Sequence, residues 1–459
     1  MNSPSIDKGN ALNFQNTIRR RAIGLLCAGV LALSAPVANA QSLIRDAEIE
    51  RTLKYVMQPL LKAAGSSSTR IKIYIVNDRS MNAFVAGGRN MFLNAGLIRR
   101  MKTVEMLQSV MAHELGHITG GHQSQRAAQM GAANTAMALG LALGIAAAAA
   151  GGGAGLAMGA AEAVRRSLLG FTRAQEASAD ESSVRYLVAA GINPQAAVDV
   201  LNLFRGQELL NITRQDPYVQ SHPLTSQRLS RMKAYAQKYK DRPNTQVAGI
   251  NYWYARMVAK FNGFTGNPSY NLRRLKKSDN SEIATLARAI NYHRLPKPKK
   301  ALAYASKLTQ MRPKDAYYHE LRGQILLESG NARGAVASYR RAAQLAPKEA
   351  LILGGLGRAM LAKNSGASNN EALKVLKRAY ARDPLDGIML RNLALAYARG
   401  GNNGMASVVT AERYALQSNF KQAEIHAKRA QRILPRGTVG WLKADDILGA
   451  VTRVKRRRK

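Results

Sequence analysis

The chain has 459 residues, 46% hydrophobic and 21% charged, which excludes an intrinsically disordered polymer and exceeds one ordinary core, so two domains are expected. Its single cysteine excludes an intramolecular disulfide. Lys+Arg number 68 against 28 Asp+Glu, a formal charge of +40, which calls for an anionic partner: nucleic acid, a membrane surface or an acidic protein.

Arg19, Arg20 and Arg21 precede an uncharged apolar run over residues 22–33, and Ala38-Asn39-Ala40 follows before Gln41. That order predicts a secretory signal peptide over residues 1–40. Its apolar part is too short to span a bilayer, which takes about 20 residues. Cys27 lies inside it, behind Leu26 rather than a small residue, so it reads as a residue lost on cleavage and not as a lipid anchor. The mature chain would then lack cysteine, which suits an oxidising periplasm and excludes thiol chemistry.

Residues 71–76 alternate and are rich in β-branched side chains, so they predict a strand. Residues 82–93 contain Gly87-Gly88, a turn signal. An exposed edge here would grip an extended polypeptide through main-chain hydrogen bonds and read little of its sequence.

Val104, Leu107, Val110, Met111 and Leu115 follow helical spacing, and His113-Glu114-Leu115-Gly116-His117 lies among them. Two imidazoles four residues apart share a helix face and can reach one metal, with Glu114 beside them to take a proton from activated water. Catalytic zinc wants three protein ligands and an open position. A third His ten residues after the first would satisfy one known pattern, but position 123 is Gln and His122 is out of register. The other option is a carboxylate from a second helix. Glu176 and Asp180 are four apart, so one can ligate while the other accepts a hydrogen bond from a ligand imidazole. Acidic residues at that spacing also occur on ordinary solvated faces.

Residues 127–161 carry no charge, and 24 of the 35 are Ala or Gly. A membrane hairpin is disfavoured by the scarcity of large apolar residues and by Gly151-Gly152-Gly153. A soluble helical hairpin or a lid over the site is the preferred expectation.

In the C-terminal half an Ala–Ala–Pro register recurs at Ala335, Ala342, Pro347, at Ala372, Ala379, Pro384 and at Ala423, Ala430, Pro435, with a weaker copy at Ala301, Leu308, Pro313. It predicts tetratricopeptide-like repeats of about 34 residues, with units at about 282–315, 316–349, 350–386 and 404–437 and an added helix in 387–403. Stacked units form a solenoid with a concave binding face. The charge is uneven. Residues 41–250 hold 24 basic and 14 acidic residues, and residues 251–459 hold 40 and 13. The repeat half is therefore the basic half, and it ends in a run over 453–459 expected as a disordered tail.

The motif His113–His117 followed by Glu176-Ala-Ser-Ala-Asp180 resembles the HtpX-like gluzincin metallopeptidases. Asn82-Ala83-Phe84 with Asn94-Ala95-Gly96-Leu97 looks like that family's edge strand before the zinc helix, and Ser221-His222-Pro223 through Arg228-Leu229 looks like its His-Pro…Arg motif. The resemblance implies His113, His117 and Glu176 as ligands of one Zn2+ per chain, Glu114 as general base, Asp180 as partner of a ligand imidazole, and Asn82, Ala83 and Phe84 as substrate-binding. It implies that His222 lies near the metal, either stabilising the oxyanion or acting as a removable fourth ligand, and that Arg228 orients its loop or Asp180.

The expected fold class is thus an α+β gluzincin metalloprotease domain followed by an all-α tetratricopeptide-repeat solenoid. The domain plan is signal peptide 1–40, peptidase 41–265, linker 266–281, repeats 282–437, and a C-terminal helix with basic tail 438–459. The expected function is a periplasmic zinc endopeptidase acting on polypeptide substrates. By resemblance these are misassembled outer-membrane proteins, with the repeats docking the outer-membrane barrel-assembly machinery or outer-membrane proteins and a peripheral contact with anionic membrane. The rival is a periplasmic chaperone or scaffold with latent cleavage. Nucleic acid is excluded as a partner by the export signal and by the lack of a recognised binding motif.

Overall fold

The computed structural model describes residues 43–66, 71–86, 89–125, 128, 173–211, 214–245 and 247–458. The expected signal peptide, the Gly87-Gly88 turn and, apart from Ala128, the Ala/Gly segment 127–161 lie outside the described residues. Two compact units divide the rest. One holds residues 43–44 and Glu50–Val258, and the other holds Arg45–Ile49 and the chain from Ala259 onward.

The first unit is α+β. Its sheet has strands β1 (Leu43–Ile44), β2 (Lys72–Val76), β3 (Ala83–Ala86) and β4 (Asn90–Asn94) in the order β1-β2-β4-β3. β2 and β4 run parallel, with Tyr74 opposite Phe92, and β3 runs antiparallel to β4, with Phe84 opposite Phe92. β3 is therefore an edge strand. Stacked rings of Tyr74, Phe92 and Phe84 line one face at centroid distances of 5.2 and 5.0 Å, while Ile75, Met91 and Leu93 are buried on the other. Helix α1 (Ala47–Ala63) buries Leu53, Val56, Met57 and Leu60 at three- and four-residue spacing. Short α2 (Ala95–Arg100) leads into α3 (Val104–Thr119), the helix that carries the HExxH motif.

α3 begins because Thr103 caps it, its side chain accepting from the Met106 N–H. Apart from half-buried Glu105, every residue from Val104 to His117 is buried, so the helix is enclosed almost all round, and its polar members need partners. Gln108 finds one by donating to the Val56 carbonyl at 3.1 Å. The remaining elements that matter for the site are helix α4 over residues 173–189, α5 (Gln195–Leu203), α6 (Pro217–Ser221) and α7 (Ser226–Lys238).

The second unit is all-α. After α8 (Ile250–Thr265) and α9 (Pro268–Arg274) come the helix pairs Glu282–Arg294 with Pro298–Met311, Ala316–Glu328 with Ala332–Leu345, and Ala350–Lys363 with Gly366–Arg382. Gly387–Arg399 follows as an additional helix, and then Asn403–Leu416 with Phe420–Ile433 and the final helix Val439–Arg458. Ala301, Leu308, Ala335, Ala342, Ala372, Ala379, Ala423 and Ala430 are all fully buried. The recurring register thus marks the narrow face on which paired helices touch. Gly323 serves the same closeness, since a Cβ there would lie 2.7 Å from the Tyr339 ring.

Two boundaries differ from expectation. Residues 266–281 are not a bare linker: Asn267 caps α9 by accepting from Tyr270, and Pro268 occupies the first helical position. The division between units falls inside α8 rather than in that segment. The basic C-terminus is not a disordered tail. The last helix runs to Arg458 because Ala450, Val451 and Val454 continue its buried stripe beneath the charges. No described helix is long and apolar enough to cross a membrane.

Candidate metal centre

Three segments of the first unit meet at the site. α3 contributes His113, Glu114 and His117, α4 contributes Glu176 and Asp180, and the α6–α7 connection contributes His222 and Arg228. α4 can lie against α3 because Gly116 has no side chain; a Cβ there would sit 2.8 Å from the Ala179 carbonyl oxygen. The close crossing aims Glu176 and Asp180 at the two histidines. His222 follows α6, where its N–H donates to the Tyr218 carbonyl at 2.7 Å, and the Tyr218 N–H donates to the Met81 carbonyl at 3.2 Å. Thr225 caps α7 by accepting from the Arg228 N–H, which sets Arg228 in the first turn.

The donor atoms converge. His113 Nε2 and His117 Nε2 are 3.1 Å apart. Glu176 stands 3.3 Å from the first and 3.2 Å from the second. His222 Nδ1 is 3.0 Å from Glu176 Oε1 and 3.3 Å from His113 Nε2. These four residues are buried, and one ligand atom from each lies within 4.8 Å of the others. Two donors bound tetrahedrally to one zinc stand about 3.3 Å apart, given zinc–nitrogen bonds of about 2.0–2.1 Å. The spacing and the imidazole–carboxylate chemistry therefore fit a single metal ion.

Around the donors the other polar atoms are placed unequally. His113 Nδ1 faces Asp180 Oδ1 at 3.0 Å. Arg228 Nη1 reaches Glu176 Oε2 at 3.1 Å. Glu114 Oε1 is 3.4 Å from His222 Nε2, yet neither of its buried oxygens has a hydrogen-bond partner among the described residues. A buried carboxylate left in that condition is costly unless water or substrate completes it.

Electrostatics follow the placement. Burial raises the Glu114 carboxyl above its ordinary value, against the pull of His222 and His113. Burial also opposes ionisation of Glu176 and Asp180. His222 and the hydrogen bonds from His113 and His117 nevertheless hold Glu176 well below the usual range, and Arg228 and His113 hold Asp180 at about 2. Burial pushes His117 down to about 3, which leaves a lone pair on a neutral ring. At His113 burial and Arg228 act downward, but the bonds to Asp180 and Glu176 prevail and lift it to about 9. A metal must therefore compete with a proton for that ring.

Of the residues expected at the site, the structure brings together His113, Glu114, His117, Glu176, Asp180, His222 and Arg228. Asn82, Ala83 and Phe84 lie on and just before the edge strand. The Asn94 N–H donates to the Asn82 carbonyl. By antiparallel alternation β4 also takes the main chain of Phe84, and the main-chain groups of Ala83 and Val85 face away from the sheet. Two residues stand at the site beyond those expected there. Tyr218 is buried with its ring 4.8 Å from that of His222. His122 is buried, with Nδ1 2.9 Å from His117 Nδ1. The glycine pair Gly120-Gly121 just before His122 was the available signal that the chain turns back there.

Residues 45–236 match the model of peptidase family M48. Similar proteins include the beta-barrel assembly-enhancing protease of Yersinia pestis, 26% identical over 393 residues that cover 83% of this chain and 79% of that one. The beta-barrel assembly-enhancing protease of Escherichia coli K12 is 25% identical over 388 residues, covering 83% and 78%. The mitochondrial metalloendopeptidase OMA1 of Schizosaccharomyces pombe is 25% identical over 142 residues, covering 31% and 40%. Among solved structures, MamA covers 37% of this chain and 95% of its own at 16% identity and a TM-score of 0.29.

Proposed function

The chain carries a family M48 metallopeptidase domain, and from it we propose an exported zinc endopeptidase that hydrolyses misassembled or unfolded envelope proteins in outer-membrane protein quality control. The observation that carries the proposal is the convergence of His113, His117, Glu176 and His222 beside a buried Glu114 whose oxygens have no hydrogen-bond partner among the described residues. Export and the periplasmic location draw support from the order of residues 19–41. The substrate class draws support from the printed names of the relatives, whose share of aligned length is large on both sides.

Zinc bound by His113, His117 and Glu176 would polarise a peptide carbonyl and activate water for attack on it. Glu114 holds the proton released from water, and burial, which raises the proton affinity of its carboxyl, suits that task. It then hands the proton to the departing amine. Asp180 accepts from His113 Nδ1 and so keeps the Nε2 lone pair turned into the site. An extended substrate would add to β3 at half-buried Val85, since Ala83 is fully buried. Of the three residues first expected there, Ala83 is enclosed, and Phe84 supports the strand by stacking on Phe92. The side chain of Gln123 donates to the Val85 carbonyl, so an incoming strand must displace or include it.

His222 reads better as a removable fourth ligand than as an oxyanion donor, because its Nδ1 stands among the donor atoms themselves. A filled fourth position gives a latent enzyme. That observation also favours the second reading, a chaperone or scaffold that works mainly through the repeats. The basic repeat half, with 40 basic and 13 acidic residues over 251–459, suits an acidic protein surface or anionic membrane, and by the relatives' names the barrel-assembly machinery is the protein to test. Zinc stripping by a chelator should abolish cleavage of an unfolded protein such as casein, and added zinc should restore it. Cleavage that survives complete metal removal would refute the proposal.

A further inference from the structure

We propose that His122 is a positioning residue for the metal centre: it accepts the Nδ1 proton of His117 and thereby fixes that ligand's tautomer and ring orientation. The inference rests on reading His117 as a metal ligand.

His117 has two differently occupied nitrogens. Its Nε2 faces the donor cluster, 3.1 Å from His113 Nε2 and 3.2 Å from Glu176 Oε1. Its Nδ1 points the other way, to His122 Nδ1 at 2.9 Å. His122 is not one of the clustered donors; it lies behind His117. Metal ligation through Nε2 requires the lone pair there, so the neutral ring carries its proton on Nδ1. The Nδ1–H of His117 then donates, His122 Nδ1 accepts, and the proton of the His122 ring resides on its Nε2.

The local backbone builds this seat. α3 stops at Gly120, whose N–H donates to the Gly116 carbonyl at 2.9 Å, and Gly121 adopts φ +64, a turn that returns the chain toward the helix. A Cβ on Gly120 would lie 2.4 Å from His122 Nε2, so the imidazole occupies the space left by the missing side chain. From α4, Gln175 Nε2 donates to the His122 carbonyl at 3.2 Å. The two rings meet edge to face, centroids 5.0 Å apart at 77°.

The two metal-facing histidines are thus supported unequally. His113 leans on a carboxylate, Asp180, and His117 on a second imidazole. Glu114, Glu176 and Asp180 already put three carboxyl groups in this buried space. An imidazole acceptor orients the second ring without a further carboxylate among the described residues.

The test compares zinc dissociation constants, by competition with a chromogenic chelator, and the visible spectra of the Co(II)-loaded full-length protein. The variants are His122→Phe, which keeps a ring and removes the acceptor, and His122→Gln, which restores an acceptor oxygen. Weaker binding by about 10- to 100-fold in His122→Phe, with an altered Co(II) spectrum and substantial recovery in His122→Gln, is the expected result. Gly120→Ala should weaken binding in the same way and add little on top of His122→Phe. Wild-type affinity and spectrum in His122→Phe would overturn the assignment, and equal loss in both His122 variants would reduce His122 to packing. A wild-type chain that takes up no zinc would instead overturn the metal-centre reading and this inference with it.

Discussion

Arg228 grips Asp180 with two prongs, Nε to Oδ2 at 2.7 Å and Nη2 to Oδ1 at 2.9 Å, with both side chains at 4% exposure. The same Oδ1 lies 3.0 Å from His113 Nδ1. A guanidinium fork thus fixes a carboxylate, and the carboxylate fixes an imidazole of the candidate metal centre.

Replacing the fork by a point charge should loosen that chain. Arg228→Lys keeps the charge but cannot hold both Asp180 oxygens in one plane. Zinc affinity should fall about tenfold, measured by chelator competition, and Arg228→Ala should fall further because it leaves Asp180 buried without its cation.

The crossing of α3 and α4 should be intolerant of a single methyl group. In Gly116→Ala the new Cβ meets backbone atoms of Ala179, the oxygen at 2.8 Å, and backbone cannot yield as a side-chain tip can. About 1–3 kcal/mol of stability should be lost. Thermal melting and zinc content should fall together, because the same shift carries Glu176 away from His113 and His117.

Removing the fourth donor should activate the enzyme. His222→Ala leaves His113, His117 and Glu176 in place and opens the position now occupied by His222 Nδ1. Initial rates of casein cleavage should rise. A large fall in rate would assign His222 to transition-state support instead.

A separate prediction concerns the second unit. Lys260, 1% exposed, places Nζ 2.9 Å from Asp46, 3.4 Å from Glu48 and 3.6 Å from Glu320. Lys260→Met would leave acidic groups buried together without their cation and should cost about 3–5 kcal/mol, read as a lower melting temperature. Burial raises Glu320 to about 8 against the pull of Lys260. The folded state therefore binds that proton more tightly than the unfolded chain, and this group's contribution to stability declines as pH rises from about 4.5 to 8. Glu320→Gln should flatten the decline in melting temperature between pH 5 and pH 9.

The helix that carries His113 and His117 was legible because a four-residue spacing inside an apolar stripe has one physical reading. The repeats were legible for a similar reason: Ala335 and Ala342, or Ala423 and Ala430, are small where helices must touch. Glu176 was harder. Spacing alone could not tell an acid buried beside the histidines from a solvated one, and its position depends on Gly116 and Ala179 meeting across the helices. His122 is out of register for a ligand, and spacing carries no signal for a residue that supports a ligand from behind. Its place behind His117 depends on the backbone turn at Gly121. The C-terminal basic run hid Val451 and Val454, whose burial keeps the last helix intact. Residues 266–281 look like a linker by composition, although Asn267 and Pro268 are the cap and first residue of α9.

The most direct test of the central claim is casein cleavage by Glu114→Gln, with zinc content measured on the same sample. The account predicts one zinc per chain, as in the wild type, with cleavage reduced by at least about 100-fold. Zinc-loaded Glu114→Gln that cleaves at the wild-type rate would contradict it.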